Sequence, residues 1–321
     1  FHYENNTLRT SASAGGAIVP IHATEDAGLV RVADLALYAA KSGSQHAYIF
    51  DEETLAYRLE QNELAVALVS AANRGEFIVH YQPKVDLASG EHLGFEALVR
   101  WDHPLLGLLA PGAFLPLMDD PRQIVAMSQA VIHGVCHDLR TWKNMAFSPG
   151  PVAINMPETL LINESGFDML ASAMRLYGLE WHDLTIEVTE DVFINRHAEK
   201  MRAAMMRFRE HGVLVSLDDF GTGFASLLHL RNFPCDELKI DRSFVADIGL
   251  DKRSEQIIHA IIDLSRNLGK RCVAEGIETQ AQREFLQEAG CSIGQGYFFA
   301  RPMSSRDVKE SWFRQPRAAA K

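Results

Sequence analysis

The sequence predicts an α/β fold, a (β/α)8 TIM-like barrel preceded by a small α+β segment and a linker helix, and three observations carry that prediction. Apolar, strand-like runs recur at 77–84, 94–99, 151–155, 184–189, 213–217, 237–240, 271–274 and 296–299. Helical patterns lie between most of them, notably at 120–141, 195–211, 254–268 and 279–289, and repeated strand–helix units imply a parallel sheet. Nearly every strand also ends in a polar residue that an ordinary barrel core would not hold, at the end where β/α barrels keep their catalytic groups.

Residues 1–50 read differently. Leu8 to Val19 is strand-like but broken by small residues, a helix follows at about 28–42, and Ala47-Tyr-Ile-Phe50 closes as a short strand. So few elements make a marginal core on their own, so this segment reads as the tail of a larger domain. Residues 51–75 continue as a helix whose apolar stripe is Leu55, Leu59, Leu64, Val66 and Val69. It reads first as a helix packed on the next domain, and compatibly as a signalling linker. The barrel is expected over 76–313, with 314–321 as a tail.

Composition narrows the function. The 321 residues are 47% hydrophobic and 23% charged, ordinary for a soluble globular chain. No apolar run approaches the roughly 18 residues that span a bilayer. The chain starts at Phe1 rather than Met and carries no signal peptide, which reads as a cytoplasmic fragment of a longer protein, with an upstream membrane or sensory segment left open. A net charge of −11 argues against DNA binding through a basic surface. It does not argue against a small phosphate substrate where metal ions supply positive charge locally. Cys136, Cys235, Cys272 and Cys291 show no ligand-like spacing and read as reduced thiols.

The most informative stretch is Val213-Leu-Val-Ser-Leu-Asp218-Asp219-Phe-Gly-Thr-Gly223. A buried strand delivers two adjacent carboxylates to its own end, where they repel unless a cation neutralises them. One carboxylate can bridge two divalent ions roughly 3.5–4 Å apart. The pair also makes good turn chemistry, as an Asx-type cap. The other strands decide between these readings. Glu96, Asn155, Glu187 with Glu190, Lys239 with Asp241, Glu275 with Glu278, and Gln295 stand at or near strand ends. Carboxylates and amides without His or Cys favour Mg²⁺ or Mn²⁺ over zinc. Five carboxylates and a lysine at one mouth are electrostatically untenable without metal. Two-metal hydrolysis of a phosphodiester fits this set, with a lysine to orient water or stabilise charge and a further carboxylate to take a proton.

Several motifs resemble one family. Tyr81-Gln-Pro83, Glu96-Ala97-Leu98 with Arg100-Trp101, Glu187-Val-Thr-Glu190, Asp218-Asp-Phe-Gly-Thr-Gly223, Leu238-Lys-Ile-Asp-Arg-Ser-Phe-Val245, Ala274-Glu-Gly-Ile-Glu-Thr279 and Gln295-Gly-Tyr297 together resemble EAL domains. Those are barrel phosphodiesterases that open the bacterial second messenger cyclic di-GMP to linear pGpG. The resemblance implies two Mg²⁺ or Mn²⁺ ions. Glu96, Asn155, Glu187 and Asp218 would hold the first, with Asp218 bridging, and Asp219 would serve the second. Lys239 and Glu275 would assist the attacking water, Glu275 as base or second-metal ligand. Gln82, Leu98, Arg100, Asp241, Gln295 and Tyr297 would contact substrate or its cluster. Glu190 with the Phe220–Ser226 loop, including Gly221 and Gly223, would be regulatory and coupled to a homodimer through the barrel. Glu278 would be structural. Calcium is an expected inhibitor, because its larger, looser coordination fits such a site poorly.

Departures are few. Pro157 stands where the family usually has Ser, and Phe224-Ala225 replace Tyr-Ser. Ala33-Asp-Leu-Ala-Leu-Tyr-Ala-Ala-Lys41-Ser-Gly resembles the late helix of a GGDEF domain, whose cyclase signature this chain lacks. Two other functions stay open at this level, a non-hydrolytic cyclic di-GMP receptor and an unrelated barrel phosphoesterase.

Overall fold

The computed structural model describes residues 2–3, 6–7, 12–22, 26–42, 47–163, 165–193, 197–223, 230 and 233–312. The 314–321 tail and loop positions Phe224 to Ser226 lie outside them. Two compact units, Phe1–Val69 and Ser70–Lys321, divide the chain.

In the first unit β1 (His2–Tyr3) and β2 (Asn6–Thr7) pair antiparallel, and β3 (Ala14–Gly16) and β4 (Ala47–Ile49) pair parallel. Helix Asp26–Ser42 joins β3 to β4 and buries Val32, Ala36 and Ala40 at a four-residue spacing, one face of a helix. The 8–19 run is thus a strand only at 14–16 among its described residues. The next helix spans Glu52–Ala71. Of its expected stripe, Leu64 is buried while Val66 and Val69 are largely exposed, and Leu68, outside that stripe, is buried instead; the side chains of Leu55 and Leu59 lie outside the described residues.

The second unit contains a closed ring of eight strands. These are β5 (Phe77–Asp86), β6 (His92–His103), β8 (Val152–Asn155), β9 (Leu184–Thr189), β10 (Leu214–Phe220), β11 (Glu237–Ile240), β12 (Arg271–Ala274) and β13 (Ile293–Gly294). β7 (Gly107–Leu109) and β14 (Met303–Ser304) pair antiparallel on β6 and β5. The barrel fold is therefore as expected, with two corrections. First, β5 runs antiparallel to both β6 and β13. Only residues 87–91 separate β5 from β6, and a parallel crossover needs a dozen or more. A turn forms instead, in which Asp86 Oδ1 accepts from the Ala88 and Ser89 amides at 3.0 and 2.7 Å. Second, the last strand is 293–294 rather than 296–299. Gly296 lies so close to Ile277 that an added Cβ would stand 2.1 Å from its carbonyl oxygen. The chain then turns, with the Phe299 and Ala300 amides donating to Gly296 O.

Packing outside the ring follows helix periodicity. Helix Pro121–Asn144 is capped by Asp120, whose side chain accepts from Arg122 N, and carries Pro at its first turn. It buries Val131, Ile132, Val135, Leu139 and Trp142, each worth about 1.5–3 kcal/mol. Tyr81 and Phe95 meet Trp142 from the outer faces of β5 and β6. All four cysteines are buried free thiols.

Candidate metal centre and active cleft

Strand register fixes which residues share the barrel interior. Gln82 pairs with Glu96, Glu96 with Ala153, Asn155 with Glu187, Glu187 with Ser216 and Ser216 with Glu237. Register partners point to the same face, and so do residues two apart on one strand. That places Gln82 and Lys84, Glu187, Ser216 and Asp218, and Glu237 and Lys239 inside one ring.

Lys239 is the hub. It is fully buried, and its Nζ lies 2.6 Å from Glu275 Oε1, 2.9 Å from Glu187 Oε2, 3.0 Å from Asp218 Oδ1 and 3.6 Å from Glu96 Oε2. Asn155 Nδ2 donates to Glu96 Oε1 at 3.2 Å. Gln295 Nε2 donates to Glu96 Oε2 at 2.5 Å and to Gln82 Oε1 at 3.0 Å, and Gln82 Nε2 donates to Ala300 O. The structure thus brings Gln82, Glu96, Asn155, Glu187, Asp218, Lys239, Glu275 and Gln295 into one cluster. Asp219 joins it from an unusual backbone. Its φ is +53°, a region Asp tolerates better than most residues, and the β10–β11 register shifts just there, between Leu217 and Phe220.

The charges do not balance internally. Burial first, then Glu187 and Asp218, push the Glu96 carboxyl up to about 7. Burial, Asp218 and Asp241 raise Asp219 to about 6. Burial, opposed by Lys239, lifts Glu275 well above the usual range. Glu187 goes down, to about 2, because Lys239 and Lys84 outweigh its burial. Lys239 is held charged by Glu187, Glu275, Glu96 and Asp218 against its burial.

The donor set fits divalent cations. Glu96, Glu187 and Asp218 offer oxygens within 4.8 Å of one another, and so do Asp218, Asp219 and Glu275. Asp218 belongs to both groups, which is what a ligand shared between two ions requires. Gln295 Oε1 is a buried acceptor without a hydrogen-bond partner, and such an atom calls for a donor in the site.

A pH dependence follows. Carboxyls held up in the fold stabilise it below their unfolded pKa of about 4.5, and that contribution is lost as pH rises through about 7. Glu187 has the opposite sign, but it titrates near 2. Cations that replace these protons should therefore stabilise the protein more at pH 8 than at pH 6. Melting curves with and without Mn²⁺ at both values test this, and equal shifts would contradict it.

A cleft of about 420 Å³ opens beside the cluster, lined by Gln82, Leu98, Arg100, Glu275, Gln295 and Tyr297 among others. Arg100 donates to Val99 O. Tyr297 is 49% exposed and has the Arg301 guanidinium 4.3 Å over its ring. Asp241 caps the next helix, accepting from Ser243 N at 2.9 Å. Glu278 exposes its side chain in the cleft wall, while its backbone N–H donates to Gln282 Oε1 at 2.8 Å. Glu190 Oε2 accepts from the amides of Gly221 and Gly223 at 2.9 and 3.2 Å, beside buried Phe220. Gly221 has φ +101°, open to glycine alone in practice. Pro157 precedes the short helix Glu158–Ile162 without a side-chain cap, as its lack of a hydroxyl dictates.

Sequence reasoning missed Lys84 and Glu237. Lys84 Nζ lies 2.8 Å from Glu187 Oε1 and 3.0 Å from Glu237 Oε1. The signal was available, since Gln82/Lys84 and Glu237/Lys239 are i, i+2 pairs that share a face.

The site is thus an acidic cluster that could hold divalent cations, at one end of a β/α barrel and beside a cleft carrying arginine. The chain belongs to the EAL domain family, whose model matches residues 62–302. It is 36% identical over 312 residues to MucR of Pseudomonas aeruginosa, a bifunctional diguanylate cyclase/cyclic di-GMP phosphodiesterase, covering 97% of this chain and 45% of MucR. The chain thus spans less than half of that relative. The solved MucR phosphodiesterase–cyclic di-GMP complex superposes with a TM-score of 0.72 at 38% identity, over 77% of this chain and 99% of that one. Klebsiella pneumoniae BlrP1, solved with manganese and cyclic di-GMP, gives 0.63 at 25% identity, over 71% and 56%. No helix among the described residues is long and apolar enough to cross a membrane.

Proposed function

We propose that this chain hydrolyses cyclic di-GMP to linear pGpG with the help of two divalent cations, Mg²⁺ or Mn²⁺. The observation that carries this is the pair of overlapping acid groups sharing Asp218, set beside a cleft with a half-buried arginine. The substrate is supported by what MucR is named for and by its cyclic di-GMP complex.

Glu96, Asn155, Glu187 and Asp218 would hold one ion, and Asp218, Asp219 and Glu275 the other. The ions supply positive charge for the phosphate and a lowered pKa for an attacking water. Lys239, buried and charged, gives a fixed cation for the charge that builds up on the phosphate. Glu275 sits at the cleft edge beside Lys239, where its carboxylate can take a proton or act as ligand. Gln295 donates to Glu96 and leaves its own buried oxygen without a partner. Arg100 would contact phosphate, Gln82 and Tyr297 a guanine, and Leu98 and Asp241 would complete the substrate contacts.

Further readings accompany this. Residues 1–50 are the C-terminal part of a GGDEF-like domain, supported by the match to MucR, a bifunctional protein, over 97% of the chain. Residues 51–75 are a linker helix and 76–313 the catalytic barrel. The Glu190-anchored glycine loop regulates the site, and the barrel forms a homodimer. The chain works in the cytoplasm. Substrate class is tested by offering cyclic di-GMP, cyclic di-AMP and linear dinucleotides in parallel. Preference for cyclic di-GMP supports the assignment, and indifference among the three points to a general phosphoesterase.

A further inference from the structure

Below the acidic cluster, the interior of this barrel carries ions where β/α barrels ordinarily carry branched apolar side chains. Arg271 lies 3.3 Å from Glu237, Glu237 3.0 Å from Lys84, Lys84 2.8 Å from Glu187, and Glu187 2.9 Å from Lys239. The signs alternate along this column. Lys84, Glu237, Glu187 and Lys239 are all buried, and charges buried in this way persist only with close partners and saturated hydrogen bonding. Ser216 Oγ adds a donor to Glu237 at 2.9 Å.

The two oxygens of Glu187 have different lysines. Oε2 faces Lys239, which is shared with Glu275, Asp218 and Glu96. Oε1 faces Lys84, whose other partner, Glu237, is in neither acid group. We propose that Lys84 is a positioning residue for metal binding. It pins Glu187 Oε1 from below, turns Oε2 toward Asp218 and Lys239, and leaves Glu187 a single oxygen to give to a cation. Glu237, itself held by Ser216 and Arg271, fixes Lys84 in turn. The inference rests on the metal reading of the cluster. Partners that orient metal ligands typically matter by ten- to a hundredfold in metal affinity.

The test is Mn²⁺ titration of the purified chain, with free ion followed by electron paramagnetic resonance and turnover measured in parallel. Lys84→Met alone removes the buried cation from Glu237 Oε1, so the decisive variant is the neutral pair Lys84→Met/Glu237→Gln, with Lys84→Arg as the conservative control. The double variant is expected to bind Mn²⁺ about tenfold or more weakly, and its half-maximal Mn²⁺ for turnover should rise by the same factor. Lys84→Arg, which keeps a cation against Oε1, should stay within about threefold. Mn²⁺ binding by the double variant within twofold of the parent would overturn the proposal and reduce Lys84 to a counter-ion for Glu237. Absence of saturable Mn²⁺ binding in the parent chain would instead overturn the metal reading itself, so the two failures are distinguishable.

Discussion

Replacing Asp218 with alanine is expected to remove metal-dependent turnover by on the order of a thousandfold or more, which corresponds to about 4 kcal/mol of transition-state stabilisation. Asp218 is the carboxylate common to both acid groups, so its loss disrupts both cation positions at once. Glu96→Ala should have an effect of similar size, because Glu96 is gripped by both Asn155 and Gln295 and no other side chain can take that place. Unfolding is not the cause expected. In the absence of metal, removing one of several like charges relieves repulsion, and Asp218→Ala should melt no lower than the parent in EDTA. Near-normal turnover in either variant would sink the two-cation assignment.

Lys239→Met should separate binding from chemistry. Lys239 lies inside the carboxylate cluster, below the cleft, so cyclic di-GMP affinity should change by only a few-fold while turnover falls by about 10²–10³. Its effect on the metal-free fold should be large. The ammonium is fully buried among Glu275, Glu187, Asp218 and Glu96. Removing one partner from such a buried group typically costs about 3–5 kcal/mol. Divalent ions replace part of the lost charge, so the gap in melting temperature between EDTA and Mn²⁺ should widen relative to the parent. Loss of substrate binding in a folded, metal-loaded variant would show that the role assigned to Lys239 is wrong.

The barrel was legible because most of its strands are largely apolar runs that end in, or run directly into, a polar residue, as Val152-Ala-Ile-Asn155 shows. The run at 296–299 misled because Gly296-Tyr-Phe-Phe has strand-like composition. Tertiary crowding against Ile277 decides its conformation, and composition does not carry that information. The antiparallel first strand was readable in principle from the short gap before residue 92, but the repeating strand–helix rhythm masked it. The upper ring of the site, from Glu96 round to Gln295, was found one strand end at a time. The lower ring escaped because Lys84 lies within β5 and Glu237 opens β11, away from the strand ends that carry the acidic cluster, where a charge reads as solvent-facing until the closed ring shows that face to be interior. Asp219 is the converse case. Its adjacency to Asp218 was plain, but alternation alone would aim it outward, and the left-handed turn at that residue is what places it with Asp218 and Glu275.

The most direct measurement is incubation of the purified chain with cyclic di-GMP and Mg²⁺ or Mn²⁺, with products resolved by chromatography before and after EDTA. A pGpG peak that forms with either ion and vanishes with EDTA is the expected result. Tight cyclic di-GMP binding with no product under either metal would contradict the assignment of this site as a phosphodiesterase and leave the chain a receptor.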